Sequence, residues 1–143
     1  MTCGLDVVAA ARGFIGVPFR HQGRRRDTGV DCAGLVILVA HELKLSEFDY
    51  RTYGRLPVAD RMRQFLNAHM DCVANWQAGD VLLMTLEREP QHLAVLTAVA
   101  TQDNLARIVH SHAQVGKCVE HNLDALWRSR VRGAWRFRGL VCS

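Results

Sequence analysis

Ala78-Gly79-Asp80-Val81-Leu82-Leu83-Met84 is the stretch at which the chain changes its period. Before it, apolar residues recur every third or fourth position; after it, they run together or alternate. Gly79-Asp80 is a turn signal, and the apolar run behind it reads as a strand. Further strands are expected at 91–99 around Leu93, Val95 and Thr97, at 106–112 around Ile108, and at 117–121. In the closing segment Val131, Trp135 and Phe137 point one way and Arg132, Arg136 and Arg138 the other. That is the alternation of a half-buried antiparallel strand with a charged outer face. Upstream, Val7, Val8, Ala11, Phe14 and Ile15 mark a first helix, stopped by Gly16 and Pro18. A polar, turn-rich stretch at 21–29 separates it from a second helix over about 32–44, with Asp31 as N-cap and Leu35, Val36, Val39 and Leu43 as its apolar stripe. Residues 46–58 read as a loop, and 59–69 as a third helix with Met62, Phe65 and Leu66 inward. Helices first and strands afterwards give an α+β fold, helices packed on an antiparallel sheet.

At 143 residues the chain is expected to form a single domain spanning 1–143. A chain of that size buries about two thirds of its unfolded surface, so neither metal nor disulfide is needed to hold it. The five cysteines (Cys3, Cys32, Cys72, Cys118 and Cys142) are odd in number and irregularly spaced, a poor disulfide framework and one that suits a reducing compartment. No apolar run is long enough to span a membrane. Met1-Thr2-Cys3-Gly4-Leu5-Asp6 has neither the basic start nor the apolar core of a signal peptide, so synthesis in the cytoplasm without an export signal is expected. The net charge of +4 comes almost wholly from arginine, with Lys44 and Lys117 as the two lysines; such forks suit an acidic polymer, but an ordinary solubility charge is the stronger reading. No aromatics are interleaved along the basic stretch, which argues against nucleic acid.

Cys32 follows Asp31 at the first turn of the second helix, in phase with Val36, Val39 and Leu43. An inward thiol at a helix N-terminus meets free backbone N–H groups and the positive end of the dipole, which favour thiolate and can hold an oxyanion. A small buried hydrophobe is the competing reading. A nucleophilic thiol needs a base, and the base needs orienting. His92 shares a strand face with Ala94, Leu96 and Ala98, a face whose small and aliphatic residues suggest packing against helices. Ile108, His110 and His112 share a face of the next strand, so either histidine could steady His92, while His21, His41, His69 and His121 read as structural. A zinc site at His110, His112, Cys118 and His121 is the metal alternative, although no common finger has that spacing.

Gly16-Val17-Pro18-Phe19-Arg20-His21-Gln22 and Val30-Asp31-Cys32-Ala33-Gly34-Leu35-Val36 resemble the two opening boxes of the NlpC-type cell-wall endopeptidases. Ala78-Gly79-Asp80-Val81-Leu82-Leu83, Gln91-His92-Leu93-Ala94-Val95 and Ile108-Val109-His110-Ser111 follow in that family's order. Val131-Arg132-Gly133-Ala134-Trp135-Arg136-Phe137 is similar to the ending of the compact versions carried by phages and gene-transfer particles. The resemblance implies a papain-like α+β fold without metal or organic cofactor. It implies cleavage of peptidoglycan stem peptides, typically between γ-D-glutamate and a diamino acid, with no membrane or nucleic-acid partner. Cys32 is then the nucleophile, His92 the base and His110 the residue that orients it, with Phe19 and Asp31 at the substrate. Phe19 stands where the family has tyrosine, so a hydroxyl that usually lines the site is missing. A free-standing catalytic module suits delivery by a tail or particle protein. Two other readings stay open: a tail-tip or assembly protein with an unused site, and an acyltransferase, whose usual order of His before Cys is reversed here.

Overall fold

Cys3 opens the first helix. In the computed structural model, which describes residues 1–50, 60–86 and 90–141, α1 (Gly4–Arg12) begins where Asp6 accepts the Cys3 N–H at 2.8 Å. It buries Val7, Val8 and Ala11 and ends earlier than its apolar pattern suggests. Phe14 beyond it is buried, whereas Ile15 is exposed. The polar stretch at 21–29 is more than turns: β1 (Arg24–Arg25) and β2 (Gly29–Val30) form a small antiparallel hairpin. α2 (Cys32–Glu42) buries Ala33, Gly34, Leu35, Val36, Ile37, Val39 and Ala40, so it is a central helix and not an amphipathic one. α3 (Arg61–His69) keeps the expected one-sided pattern with Met62, Phe65 and Leu66 inward. Residues 46–50 carry no helix or strand, and the rest of the expected loop lies outside the described residues up to 59.

Among the described residues the five expected strands and one more form a six-stranded sheet: β3 (Asp71–Val73), β4 (Val81–Thr85), β5 (Pro90–Ala98), β6 (Arg107–His112), β7 (Lys117–Asn122) and β8 (Val131–Arg136), in the order β3-β8-β4-β5-β6-β7. Every pairing is antiparallel. The architecture is the α+β fold with helices on an antiparallel sheet. β3 was not foreseen, since Asp71-Cys72-Val73 is a strand only by virtue of its pairing with β8. α4 (Ala125–Ser129) is a single capped turn, with Asp124 accepting the Trp127 N–H at 3.0 Å.

Both faces of the sheet are covered. Val81, Leu83, Leu93, Val95, Val109 and Trp135 pack with α1, α2 and α3; Leu82, Met84, Ala94, Leu96, Ile108 and Ala134 pack on the other side with Trp76, Leu123 and Trp127. Two expectations are corrected here. The face shared by Ala94 and Leu96 turns away from the three large helices, because alternation sorts residues into two faces without saying which covers what. β8 does not have one charged outer face either. It lies between β3 and β4, and a bulge opposite Leu83 and Met84 puts Val131 and Trp135 in different clusters.

Asp80, at the entry to β4, is 1% exposed and is held by Arg136 through Nε at 2.8 Å and Nη2 at 2.9 Å, with the Gln77 N–H at 2.7 Å. Removing the guanidinium leaves a buried carboxylate without its cation, a loss of about 3 kcal/mol. Arg136→Met is therefore expected to lower the urea midpoint of unfolding clearly, and Asp80→Asn combined with it to cost less than the two changes added. A midpoint unmoved by Arg136→Met refutes this account of the β4 turn.

Candidate active site

The site begins with Asp31. Its Oδ1 accepts the Gly34 N–H at 2.8 Å, capping α2, and its Oδ2 accepts the Gln22 N–H at 2.8 Å. Arg24 Nη1 donates to Oδ1 at 3.2 Å, with both side chains buried, and the same guanidinium reaches the Tyr50 carbonyl at 2.8 Å and Asp49 at 3.0 Å. Both oxygens are thus engaged by internal donors. Asp31 thereby builds the turn that presents Cys32. Gly34 is needed in this turn, since a Cβ there would collide with the Gly23 carbonyl. Phe19, half-buried, lies beside Val30 in a parallel bridge and donates its N–H to the Gly116 carbonyl at 2.8 Å.

Cys32 is the first residue of α2 and packs against the helix-side core. Its sulfur meets the strand that carries His92. The thiol donates to the Gln91 carbonyl at 3.7 Å, and the Leu93 and Ala33 N–H groups face it. The backbone of Leu96 bonds to Asp80 and Gly79, on the β4 side, so by alternation Gln91 and Leu93 turn theirs toward β6. The register of β5 with β6 stops at Val95↔Val109, and the two strands part beyond it. The segment Val30-Asp31-Cys32 enters that gap. Ser111 Oγ on β6 holds the Val30 carbonyl at 2.7 Å, and Cys32 meets β5. The thiol's bond goes to the residue before His92 and not to the ring.

His92 is 6% exposed, and its Nε2 lies 2.6 Å from His110 Nδ1. His110, fully buried, turns its Nε2 to His121 Nε2 at 2.8 Å, and His121 Nδ1 lies 2.8 Å from the Asn122 carbonyl. His112 shares ring contacts with His92 and His110, but the hydrogen bond to His92 is made by His110. Trp127 closes the group edge-on against His110 and His112. Trp127 was not foreseen as a site residue, and His121 only as a ligand of the zinc alternative. The pairing Ile108↔His121 that brings His121 onto the His110 face is a matter of register, which no local pattern discloses. The same register separates the zinc set. Cys118 pairs with Ser111 and is buried in the helix-side core, on the opposite face from His110 and His121. Among the described residues no group of three His, Cys, Asp or Glu is placed to hold a metal ion.

The resting charge state differs from the thiolate expected at a helix N-terminus. Burial pushes the Cys32 thiol up to about 12, and the Asp31 carboxylate adds to the rise, although the residue as a whole is only half-buried. Burial likewise pulls His92 down to about 3 and His110 down to about 2, with the neighbouring histidines adding to it and Arg130 acting on His92 as well. Thiol and imidazole are both neutral at rest. Such a pair can act by general-base transfer, the proton leaving sulfur as the sulfur attacks.

The family model described as "Domain of unknown function (DUF1287)" matches residues 42–137, a span that begins after Cys32 and includes His92 and His110. Among solved structures, an NlpC/P60 family protein from Bacillus cereus superposes with a TM-score of 0.65 at 18% identity, over 95% of this chain and 40% of its own. A Staphylococcus aureus protein described as similar to lipoprotein, NLP/P60 family, gives 0.64 at 19%, over 94% of this chain and 41% of its own. The NlpC/p60 domain of the peptidoglycan hydrolase SagA gives 0.61 at 16%, over 94% of this chain and 98% of its own. The chain therefore spans about two fifths of the length of the first two proteins and nearly all of the third. At these identities the likeness is one of fold. No curated protein sequence matches the chain.

A raised thiol pKa has a direct chemical consequence. Thiolate is the alkylated species, so Cys32 should react with iodoacetamide at pH 7.5 more slowly than the exposed Cys72. Its rate should climb as pH rises toward the raised pKa. The check is peptide mapping of alkylation against time at several pH values. Fast, pH-independent labelling of Cys32 would mean that the helix terminus outweighs burial.

Proposed function

The chain belongs to the DUF1287 family, and from the juxtaposition of Cys32, His92 and His110 we propose that it is a cysteine peptidase of bacterial cell-wall peptidoglycan. The observation that carries this reading is the hydrogen bond of 2.6 Å between His92 and His110, on the strand whose backbone at 91 and 93 receives the Cys32 sulfur. A nucleophile at the backbone of the strand that carries a buried ring, and a second ring fixing that one, supply the groups that acyl transfer from a peptide requires. The fold shared with the NlpC/p60 domain of a peptidoglycan hydrolase, and with a solved endolysin at a TM-score of 0.56 and 20% identity, supports the cell wall as the source of substrate.

In the proposed reaction Cys32 attacks the carbonyl of a stem peptide, at the bond between γ-D-glutamate and the diamino acid. His92 takes the thiol proton and returns it to the leaving amine; water then releases the acyl group by the same base. The Ala33 N–H, which already faces the sulfur, is a ready donor to the developing oxyanion. Phe19 lies one bridge from Val30 and is proposed to line the substrate groove with its ring. Delivery by a tail or particle rests on the likeness of residues 131–137 to compact phage-encoded members, and the whole of 1–143 is proposed to act as one catalytic domain.

The test is digestion of purified peptidoglycan with identification of the fragments by mass spectrometry. Cys32→Ala and His92→Ala should remove nearly all turnover. His110→Ala should lower kcat by about 10²-fold while leaving KM near its starting value, since it holds a ring and carries no bond to substrate. His112→Ala should do little. Intact fragments with the unmodified protein would favour an assembly role with an unused site.

A further inference from the structure

The hydrogen bonds behind His92 continue through His110 and His121 to a backbone carbonyl, and their direction is determined. A carbonyl only accepts, so His121 Nδ1 carries hydrogen and donates to the Asn122 oxygen at 2.8 Å. In a neutral ring the other nitrogen is then bare, so His121 Nε2 accepts from His110 Nε2 at 2.8 Å. His110 Nδ1 is bare in turn and accepts from His92 Nε2 at 2.6 Å. His92 Nδ1 is left with its lone pair. That is the form a general base must have, and a single carbonyl at the far end of the chain selects it.

We propose that His121 is a positioning residue, the outer terminus of a proton relay that keeps His92 Nδ1 bare and carries positive charge outward when His92 takes a proton. The relay balances in one shift. A proton arrives at His92 Nδ1; the His92 Nε2 hydrogen passes to His110 Nδ1; the His110 Nε2 hydrogen passes to His121 Nε2. His92 and His110 end neutral with their tautomers exchanged, and His121 ends as the cation, still donating through Nδ1.

The placement of the three rings favours this shift. His92 and His110 are buried, whereas His121 lies at the half-buried edge on β7, where an imidazolium keeps part of its hydration. Burial disfavours charge on each of the two inner rings. The groups facing the array are His112 from β6, Trp127 from α4, and Arg130 beyond it, whose charge acts on His92 and His112. Asn122 next to His121 holds Arg107 at 2.8 Å through its side chain, and Glu120 is taken by Arg12 and Thr97 on the other face. Among the described residues no carboxylate hydrogen-bonds to any of the four rings.

The kinetic consequence rests on the peptidase reading; the ring tautomers do not, and the experiment reads both. Ring-nitrogen NMR of the full ¹⁵N-labelled chain is expected to show His92 protonated at Nε2 and bare at Nδ1 at neutral pH. On acidification His121 should gain the imidazolium signature at the same midpoint at which His92 and His110 exchange tautomers. His121→Phe, which offers no acceptor, should give mixed tautomers at His92 and lower kcat about tenfold with KM retained. His121→Gln, whose carbonyl can accept but not titrate, should restore the His92 tautomer and move the acid limb of the pH profile to lower pH. A His92 signal bare at Nε2 at neutral pH, independent titration of His92 and His121, or an unchanged His92 tautomer in folded His121→Phe each overturns the relay. A protein that yields the expected spectra but cuts no wall fragment sinks the peptidase reading alone.

Discussion

The buried carboxylate of Asp31 is the constraint on which the rest of the site depends. It ties together the Gln22 backbone, the Arg24 guanidinium and the first turn of α2. Each charge-assisted bond is worth about 2 kcal/mol, but desolvating both ions offsets much of that. The net contribution to stability is therefore small, and what remains is geometry. With three donors converging on two oxygens, α2 can begin at one residue only, and that residue is Cys32. Gly34 permits the hairpin to close down over the same turn.

Opposite Asp31 stands a different solution to the same problem of burying polar groups. The ring nitrogens of His92, His110 and His121 would each be costly if left without a partner in a dry interior. Chaining them satisfies His110 and His121 at both nitrogens and His92 at one. One valence stays open at His92, and the sulfur of Cys32 lies beside the same stretch of β5. Neutral rings and a neutral thiol make this arrangement stable at rest. An ion pair in the same place would need two desolvated charges with no carboxylate to steady the cation. The geometry thus favours proton transfer during attack over a preformed thiolate.

Much of this was legible in the chain. The change of period at Gly79-Asp80, the N-cap before Cys32 and the alternation through 91–98 gave helices, sheet and the strand bearing His92, because these signals are local. What escaped depended on partners distant in sequence. The short β3 exists through its pairing with β8; the bulge in β8 divides Val131 from Trp135; the face of Ala94 could be assigned only once α4 and Trp76 were seen to cover it. The thiol's state escaped for a related reason. A helix N-terminus is visible as sequence, whereas the degree of burial and the nearness of Asp31's charge are tertiary facts. His121 read as a structural histidine because its significance lies in the register between β6 and β7.

Nucleophile and base come from parts of the chain that fold by different rules. Cys32 belongs to a helix-rich stretch organised by local signals, and His92, His110 and His121 to a sheet organised by long-range pairing. They are joined by the packing of α2 on β5 and β6, where Val36 and Val39 share one core with Leu93, Val95 and Val109. That core is fully buried and close-packed, so it transmits small displacements instead of absorbing them. The wedge of Val30-Asp31-Cys32 between the parting ends of β5 and β6 is its outlet. Shortening the strand pairing there gives up ladder hydrogen bonds, and the Ser111 hydroxyl and the Cys32 thiol replace part of what is lost. A sheet zipped one pair further would be more regular, but its own backbone would occupy the place where the sulfur meets the histidine strand.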